Sequence, residues 1–310
     1  MPKLSNVDEK YVDGYKVDKE TDDVIYSDEQ HVYIDKTDKE KYISVTTLIH
    51  KYANEFDSEF WSAYKACEAL SPDNFSLVKD ILLSTKKWND KYLAQLQIDS
   101  AEFENKKQEI LNSYDEERRK SCERGTKIHA EIENEFYKSE EQEFNKYGHG
   151  GKFVCKKGHY HLDLERGVYP EFLVSYKDED IKLAGQIDLL IKDGNEITIV
   201  DHKSSKKINL ESFFDRKTKT RAMLKFPLNN IMDCNFMIYT LQLSTYAYML
   251  QKLNPEFIVK KLIINHIDHG NKITEYECEY LKDDVERMIK HYKRNSLIRS
   301  ILDLDKPIVF

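Results

Sequence analysis

Two aspartates and a lysine are the residues whose spacing most directly suggests chemistry. Asp188 and Asp201 stand 13 positions apart in two predicted strands joined by a short turn, so both could reach the same end of adjacent antiparallel strands. Asp201 and Lys203 are two apart on one strand and therefore share a face. Paired carboxylates can share a divalent metal ion. The alternative is an ordinary strand-end salt bridge, which the Asp-x-Lys spacing alone favours.

Further polar residues accompany this pair in a fixed order along the chain. Glu171 follows Pro170 in an aromatic and aliphatic strand, and Gly185 lies three before Asp188, where a ligand or another backbone could come close. Two predicted helix faces carry more candidates: Thr126, His129 and Glu133 on one, Gln242 and Tyr246 on the other. Taken singly, Tyr246 and Gln242 are better explained as core residues and His129 as a helix-face histidine.

The elements that must position these residues alternate between strands and helices. Apolar periodicity predicts a β-hairpin over 24–47 with a helix starting near Thr46 or Thr47, helices over 55–97 with a break at 71–74, and a charged helix over 101–138. Strands follow at 167–176, 181–192 and 196–204, then a helix at 236–252, a strand at 257–266 and a helix at 281–302. This order predicts an α/β fold with a mixed sheet flanked by helices.

Length and composition set limits on the class of protein. A chain of 310 residues, 40% hydrophobic and 34% charged, can bury one large core, and we expect a soluble globular protein. We divide it into an amino-terminal hairpin and helical region, 1–116, packed on a core domain, 117–310. No apolar run could span a membrane, and the acidic amino terminus is unlike a targeting peptide, so we expect a cytoplasmic protein.

Cysteine and histidine usage argues against other metal centres. The five cysteines include no C-x-x-C pair, which disfavours disulfides, structural zinc and an iron-sulfur cluster. Residues 145–161 are predicted to form a loop, and the irregular spacing of its His149, Cys155, His159 and His161 is a poor match to zinc ligands.

One segment is basic in an otherwise acidic chain. The net charge is −8, yet residues 203–225 hold eight basic and two acidic side chains. We predict phosphate contacts from Lys206, Lys207, Arg216, Lys217, Lys219, Arg221 and Lys225. A solvated lysine-rich loop is the alternative. Phe213 and Phe214 could stack on bases, although core packing is favoured for at least one of them. Thr46 could contact a phosphate at the start of its helix.

The ordered set resembles the PD-(D/E)XK nuclease superfamily, and within it the RecB-like branch that includes mitochondrial genome maintenance exonucleases and phage and viral relatives. The resemblance is carried by G-T-x-x-H at His129, the strand glutamate Glu171, G-x-x-D at Asp188, D-x-K at Asp201 and Lys203, and Q-x-x-x-Y at Gln242 and Tyr246. It spans about residues 118–253, and SVTTLI at 44–49 is similar to an amino-terminal segment of several relatives.

The resemblance implies a restriction-endonuclease-like fold and a metal-dependent nuclease. It implies Mg²⁺, which Mn²⁺ could replace, held by His129, Asp188 and Asp201, with Glu171 on a second ion or a water. Lys203 would orient or deprotonate the attacking water, and Gln242 and Tyr246 would support Lys203 and the scissile strand. The cysteine set of the iron-sulfur members is missing from this sequence.

The function predicted is that of a deoxyribonuclease, an exonuclease on single-stranded ends or flaps in replication, recombination or repair. Its partners would then be DNA with a free end and proteins of those processes, with no membrane partner. The free-standing lysine-rich form resembles phage or viral relatives, which would place it in the host cytoplasm. An endonuclease of the same fold and a nucleic-acid-binding protein that no longer cuts are the alternatives.

Overall fold

The computed structural model describes residues 10–139, 141–156, 164–215 and 218–301. Within these residues the helices are α1 Val45–His50, α2 Ser58–Leu70, α3 Ser76–Thr85, α4 Lys91–Leu96, α5 Ser100–Lys138, α6 Asn235–Leu253 and α7 Lys282–Ile301, with a 3-10 turn at Asn145–Tyr147. The strands are β1 Tyr11–Val12, β2 Tyr15–Lys16, β3 Lys19–Glu20, β4 Val24–Ser27, β5 Val32–Asp35, β6 Ile43–Ser44, β7 Glu141–Glu143, β8 Lys152–Val154, β9 Gly167–Lys177, β10 Lys182–Asp193, β11 Glu196–Lys203, β12 Phe214–Asp215, β13 Thr220–Arg221, β14 Ile258–Ile267 and β15 Ile273–Cys278. No helix of this described part is long and apolar enough to cross a membrane.

A mixed sheet forms the centre of the α/β fold. Its order is β15-β14-β11-β10-β6, and β9 also pairs with β10. β10 is antiparallel to β9 and β11, whereas β11 runs parallel to β14. The three predicted strands and the helix that follows them are present, and the predicted mixed sheet with flanking helices is confirmed. Strand β15 was not predicted, because its alternating ITEYEC is short and half exposed.

Helix α6 packs its middle turns into the core of this sheet. Every residue from Thr240 to Leu250 is buried, and leucines of the helix join the cluster that contains Leu183, Ile199 and Ile264. Each buried apolar side chain of this size contributes about 1.5 to 3 kcal/mol. The helix is thereby fixed against the strands that carry Asp188 and Asp201.

The predicted pairing of the amino-terminal hairpin is correct only in part. Residues 32–35 pair with 24–27 rather than with 42–45, and β3 completes a three-stranded antiparallel sheet, β3-β4-β5. Ile43 and Ser44 instead form β6, which pairs in parallel with β10. The two predicted strands are linked by a hydrogen bond from the Tyr42 amide to the Tyr33 carbonyl oxygen at 2.9 Å, beside an isolated bridge between Ile34 and Lys41. Two short apolar runs do not specify their partners, since pairing depends on which sheet edge is available.

Residues 55–127 form a compact unit of their own, and the described residues up to 54 and from 128 onward form the other. In the first unit, α2, α3 and α4 bury an apolar cluster that includes Phe60, Leu82 and Phe103. The break at 71–74 lies where we predicted it. The boundaries differ from a division at residue 116: residues 10–54 group with the main sheet, to which they contribute β6.

Residues 145–156 are more ordered than the predicted loop. β8 pairs with β7, and His149 is fully buried, with Nε2 2.8 Å from Thr198 Oγ1. This histidine is a core hydrogen-bonding group. His159 and His161 lie outside the described residues.

Candidate active site

Three carboxylates occupy facing positions on neighbouring strands of the main sheet. The β9–β10 ladder keeps one register on both sides of Glu171 and places it opposite Asp188. In the ladder between β10 and β11, the last pair before the row is Leu189 with Val200. Asp201 is the next residue after Val200, so the same register places it opposite Asp188. The side chain of Asp201 is 2% exposed. Three acidic groups thus form a row across β9, β10 and β11.

The strands are irregular at this row. Glu171 has a φ of +49°, a left-handed conformation that costs a non-glycine residue about 1 to 3 kcal/mol. Ile187 packs in the apolar cluster of α6, whereas Leu189 packs in a second cluster with Phe144. Residues two apart in a regular strand share a face. Since Ile187 and Leu189 do not, the side chains of β10 change face around Asp188. The change of face therefore falls at the position of the carboxylate row.

His129 of α5 joins two of these carboxylates. Its Nδ1 lies 3.5 Å from Glu171 Oε1 and 3.7 Å from Asp188 Oδ1. Its Nε2 lies 3.0 Å from the His202 carbonyl oxygen and donates to it, since that oxygen can only accept. Burial alone would lower the pKa of the His129 imidazole, but Glu171 and Asp188 raise it to about 9. The ring is thus oriented with Nδ1 toward the carboxylates.

Asp188 is held by the backbone as well as by charge. Its Oδ2 accepts a 2.6 Å hydrogen bond from the His202 amide. Burial and the neighbouring Asp201 raise the pKa of the Asp188 carboxyl to about 7. A buried pair of carboxylates is stabilised by positive charge brought between them.

Lys203 provides positive charge at the Asp201 end of the row. Its Nζ lies 3.0 Å from Asp201 Oδ1 and 2.8 Å from Oδ2, and 4.8 Å from the centre of the Tyr239 ring. Burial alone would lower the pKa of the Lys203 ammonium, but Asp201 and Asp188 raise it. Lys203 therefore stays charged at neutral pH.

The donor set fits a divalent cation. Ligand atoms of His129, Glu171 and Asp188 all lie within 4.8 Å of one another, and two hard carboxylates with one imidazole suit Mg²⁺ or Mn²⁺. Asp201 is not in that group, and its carboxylate contacts Lys203. The structure thus brings the sequence-predicted residues together, with Glu171 rather than Asp201 nearest to His129.

Gln186 is a site residue that the sequence reasoning did not single out. Its Nε2 donates a hydrogen bond to Glu171 Oε2. The signal was available in the G-Q-I-D motif, because Gln186 lies two before Asp188 on a strand whose neighbour carries Glu171. Gln186 fixes the carboxylate of Glu171 from the side opposite His129.

Gln242 and Tyr246 form a buried pair on α6. Gln242 Nε2 donates to Tyr246 Oη at 3.2 Å, and burial raises the pKa of the Tyr246 phenol well above its usual value. A Cβ at Gly185 would lie 2.6 Å from Tyr246 Cε1. The glycine therefore admits the Tyr246 ring, and not a ligand or another backbone, three residues before Asp188.

The basic segment presents some of its predicted side chains to solvent. Lys206, Lys207, Lys219 and Lys225 are exposed. Arg221 instead contacts Glu211 at 2.6 Å and the Ser212 carbonyl at 3.0 Å. Arg216 and Lys217 lie outside the described residues.

Three other predicted contacts are placed at the surface. Phe213 is 71% and Phe214 45% exposed, so the expectation that at least one is core is wrong. Thr46 is exposed beside the amino-terminal cap of α1, where Ser44 Oγ accepts from the Thr47 amide at 3.0 Å.

Comparisons with known proteins identify the family. Among solved structures, SSO0001 is 13% identical with a TM-score of 0.32, covering 88% of this chain and 81% of its own. A candidate exonuclease from Eubacterium rectale is 12% identical with a TM-score of 0.30, covering 83% and 80%. No curated protein matched. The family model of the PD-(D/E)XK nuclease superfamily matches residues 33–306. This range contains the carboxylate row, His129 and Lys203. The chain belongs to the PD-(D/E)XK nuclease superfamily.

Proposed function

We propose that this protein is a metal-dependent deoxyribonuclease that hydrolyses phosphodiester bonds of single-stranded DNA from a free end. The observation that carries the proposal is the row of Glu171, Asp188 and Asp201 with Lys203 2.8 Å from its Asp201 end. Membership of the nuclease superfamily supports a nucleic acid substrate and a divalent metal ion.

The row and the residues around it would have different roles in hydrolysis. His129, Glu171 and Asp188 would hold Mg²⁺ or Mn²⁺, and the ion would supply Lewis acidity toward water and the phosphate. Lys203, charged and anchored on Asp201, donates to a non-bridging phosphate oxygen and positions the attacking water. Gln186 and His202 keep Glu171 and Asp188 in place.

Exposed lysines beyond the catalytic strand suit a DNA strand that leaves the site. Lys206 and Lys207 follow Lys203 by three and four positions and are exposed. Phe213 and Phe214 present aromatic surface to solvent in the same segment, as single-strand binding by stacking requires. The preference for free ends comes from the resemblance to RecB-like exonucleases in the motif order, and so does a role in replication, recombination or repair.

The test uses end-labelled linear single-stranded and duplex DNA beside closed circular single-stranded DNA, each with Mg²⁺ or EDTA. Degraded linear DNA, intact circles and inhibition by EDTA are expected. Cut circles would show an endonuclease. Binding without cleavage in Mg²⁺ and in Mn²⁺ would show a nucleic-acid-binding protein that does not cut.

A further inference from the structure

A lysine of the amino-terminal sheet reaches the end of the row opposite Lys203. Lys19 of β3 has its Nζ 3.9 Å from Glu171 Oε2 and donates a 3.4 Å hydrogen bond to the Glu171 carbonyl oxygen. Lys203 contacts Asp201 at the other end. Two ammonium groups from separate elements thus bracket the three carboxylates.

The two ammonium groups differ in how fully they are paired. Lys203 has two carboxylate contacts, at 3.0 and 2.8 Å. In the described part of the chain, Lys19 has one long hydrogen bond and one ion contact too long for a hydrogen bond. An ammonium has three donors, so Lys19 retains donors for a further acceptor. Its side chain is 19% exposed.

The left-handed backbone at Glu171 explains why Lys19 approaches there. The β9–β10 ladder is paired at the positions on either side of Glu171 but not at Glu171 itself. The carbonyl of Glu171 accepts from Lys19 instead. β3 is held in place by β4, whose four residues are all buried.

We propose that Lys19 is a second phosphate-binding lysine of the active site, contacting a DNA backbone phosphate on the Glu171 side of the row. The inference rests on the proposed function. This role makes the sheet β3-β4-β5 part of the substrate site. Lys203 and Lys19 then contact phosphates of the DNA strand at the two ends of the carboxylate row.

The test measures the salt dependence of DNA binding in EDTA, by anisotropy of a labelled single strand, for wild type, Lys19→Met, Lys19→Arg and Lys36→Met. Lys36 belongs to the same part of the chain and pairs with Glu20 at 2.8 Å, so it controls for the loss of one charge. Lys19→Met should weaken binding about fivefold and reduce the slope of log K against log salt by about 0.7, the value for one single-strand phosphate contact. Lys19→Arg should keep the wild-type slope, and so should Lys36→Met.

A wild-type slope in Lys19→Met, in a variant that melts at the wild-type temperature, would overturn the inference. So would an equal loss of slope in Lys36→Met. If wild type cleaves DNA and either result is found, only Lys19 is misassigned. If wild type neither binds nor cleaves DNA, the proposed function fails with it.

Discussion

Lys203 and Asp201, two residues apart on β11, form an ion pair at 2.8 Å in which the carboxylate is almost fully buried. The strand-end salt bridge considered from the sequence is therefore present, and it is the contact that the proposed mechanism uses. Burying two charges is unfavourable unless each is paired. The pair lies at one end of a row of acidic groups, where a phosphate of the proposed substrate would need a cation.

Replacing Lys203 by Met should abolish cleavage while DNA binding persists. The ammonium is the charged donor at the Asp201 end of the row, and loss of one such transition-state donor lowers kcat by about 100- to 1000-fold. Single-turnover cleavage and anisotropy measure the two effects. Lys272→Met, which removes an exposed lysine of the turn between β14 and β15, should leave kcat within about twofold of wild type. Wild-type turnover by Lys203→Met would refute the assignment.

His129→Asn should weaken Mn²⁺ binding about 10- to 100-fold without DNA present, because it removes the imidazole aimed at Glu171 and Asp188. Calorimetric titration measures this affinity. His149→Asn is the matched control: His149 is buried against Thr198, so that variant should lower the melting temperature but leave Mn²⁺ affinity unchanged. Equal affinities for His129→Asn and wild type would exclude His129 as a ligand.

Gly185→Ala should destabilise the fold by about 1 to 3 kcal/mol, because the new methyl group meets Tyr246 at 2.6 Å in a packed core. Urea unfolding measures the change in free energy. Gly150→Ala has open space around the added methyl and should not destabilise the protein. Cleavage should fall together with stability, since displacing Tyr246 disturbs the strand that carries Asp188. Unchanged stability of Gly185→Ala would contradict the close packing.

The stabilising contribution of the Asp35 carboxylate should be lost in acid. Burial alone would raise the pKa of its carboxyl, but hydrogen bonds from the Thr37 amide and Tyr42 hydroxyl and the charge of Lys177 lower it to about 2, from 3.8. A lowered folded-state pKa stabilises the fold above pH 3.8, and this contribution is lost as the pH falls toward 2. In Asp35→Asn the free energy of unfolding should therefore vary less between pH 5 and about 2. Equal slopes for the variant and wild type in urea unfolding would contradict this role.

Local pattern predicts most of the elements and the members of the site. Three long apolar runs, at 167–176, 181–192 and 196–204, predict the central strands. The short turn between the second and third runs is enough to place Asp188 opposite Asp201. The Q-x-x-x-Y spacing likewise places Gln242 beside Tyr246 on one helix face, because neighbours four apart on a helix must meet.

Tertiary structure decided the contacts that no local pattern encodes. The left-handed backbone of Glu171, the reach of His129 to two strands and the approach of Lys19 all depend on which elements pack together. Ile43 and Ser44 pair with β10, a strand distant in the chain, for the same reason. Periodicity fixes which residues share a face within one element, whereas contacts between elements distant in the chain are chosen by the packing of the whole core.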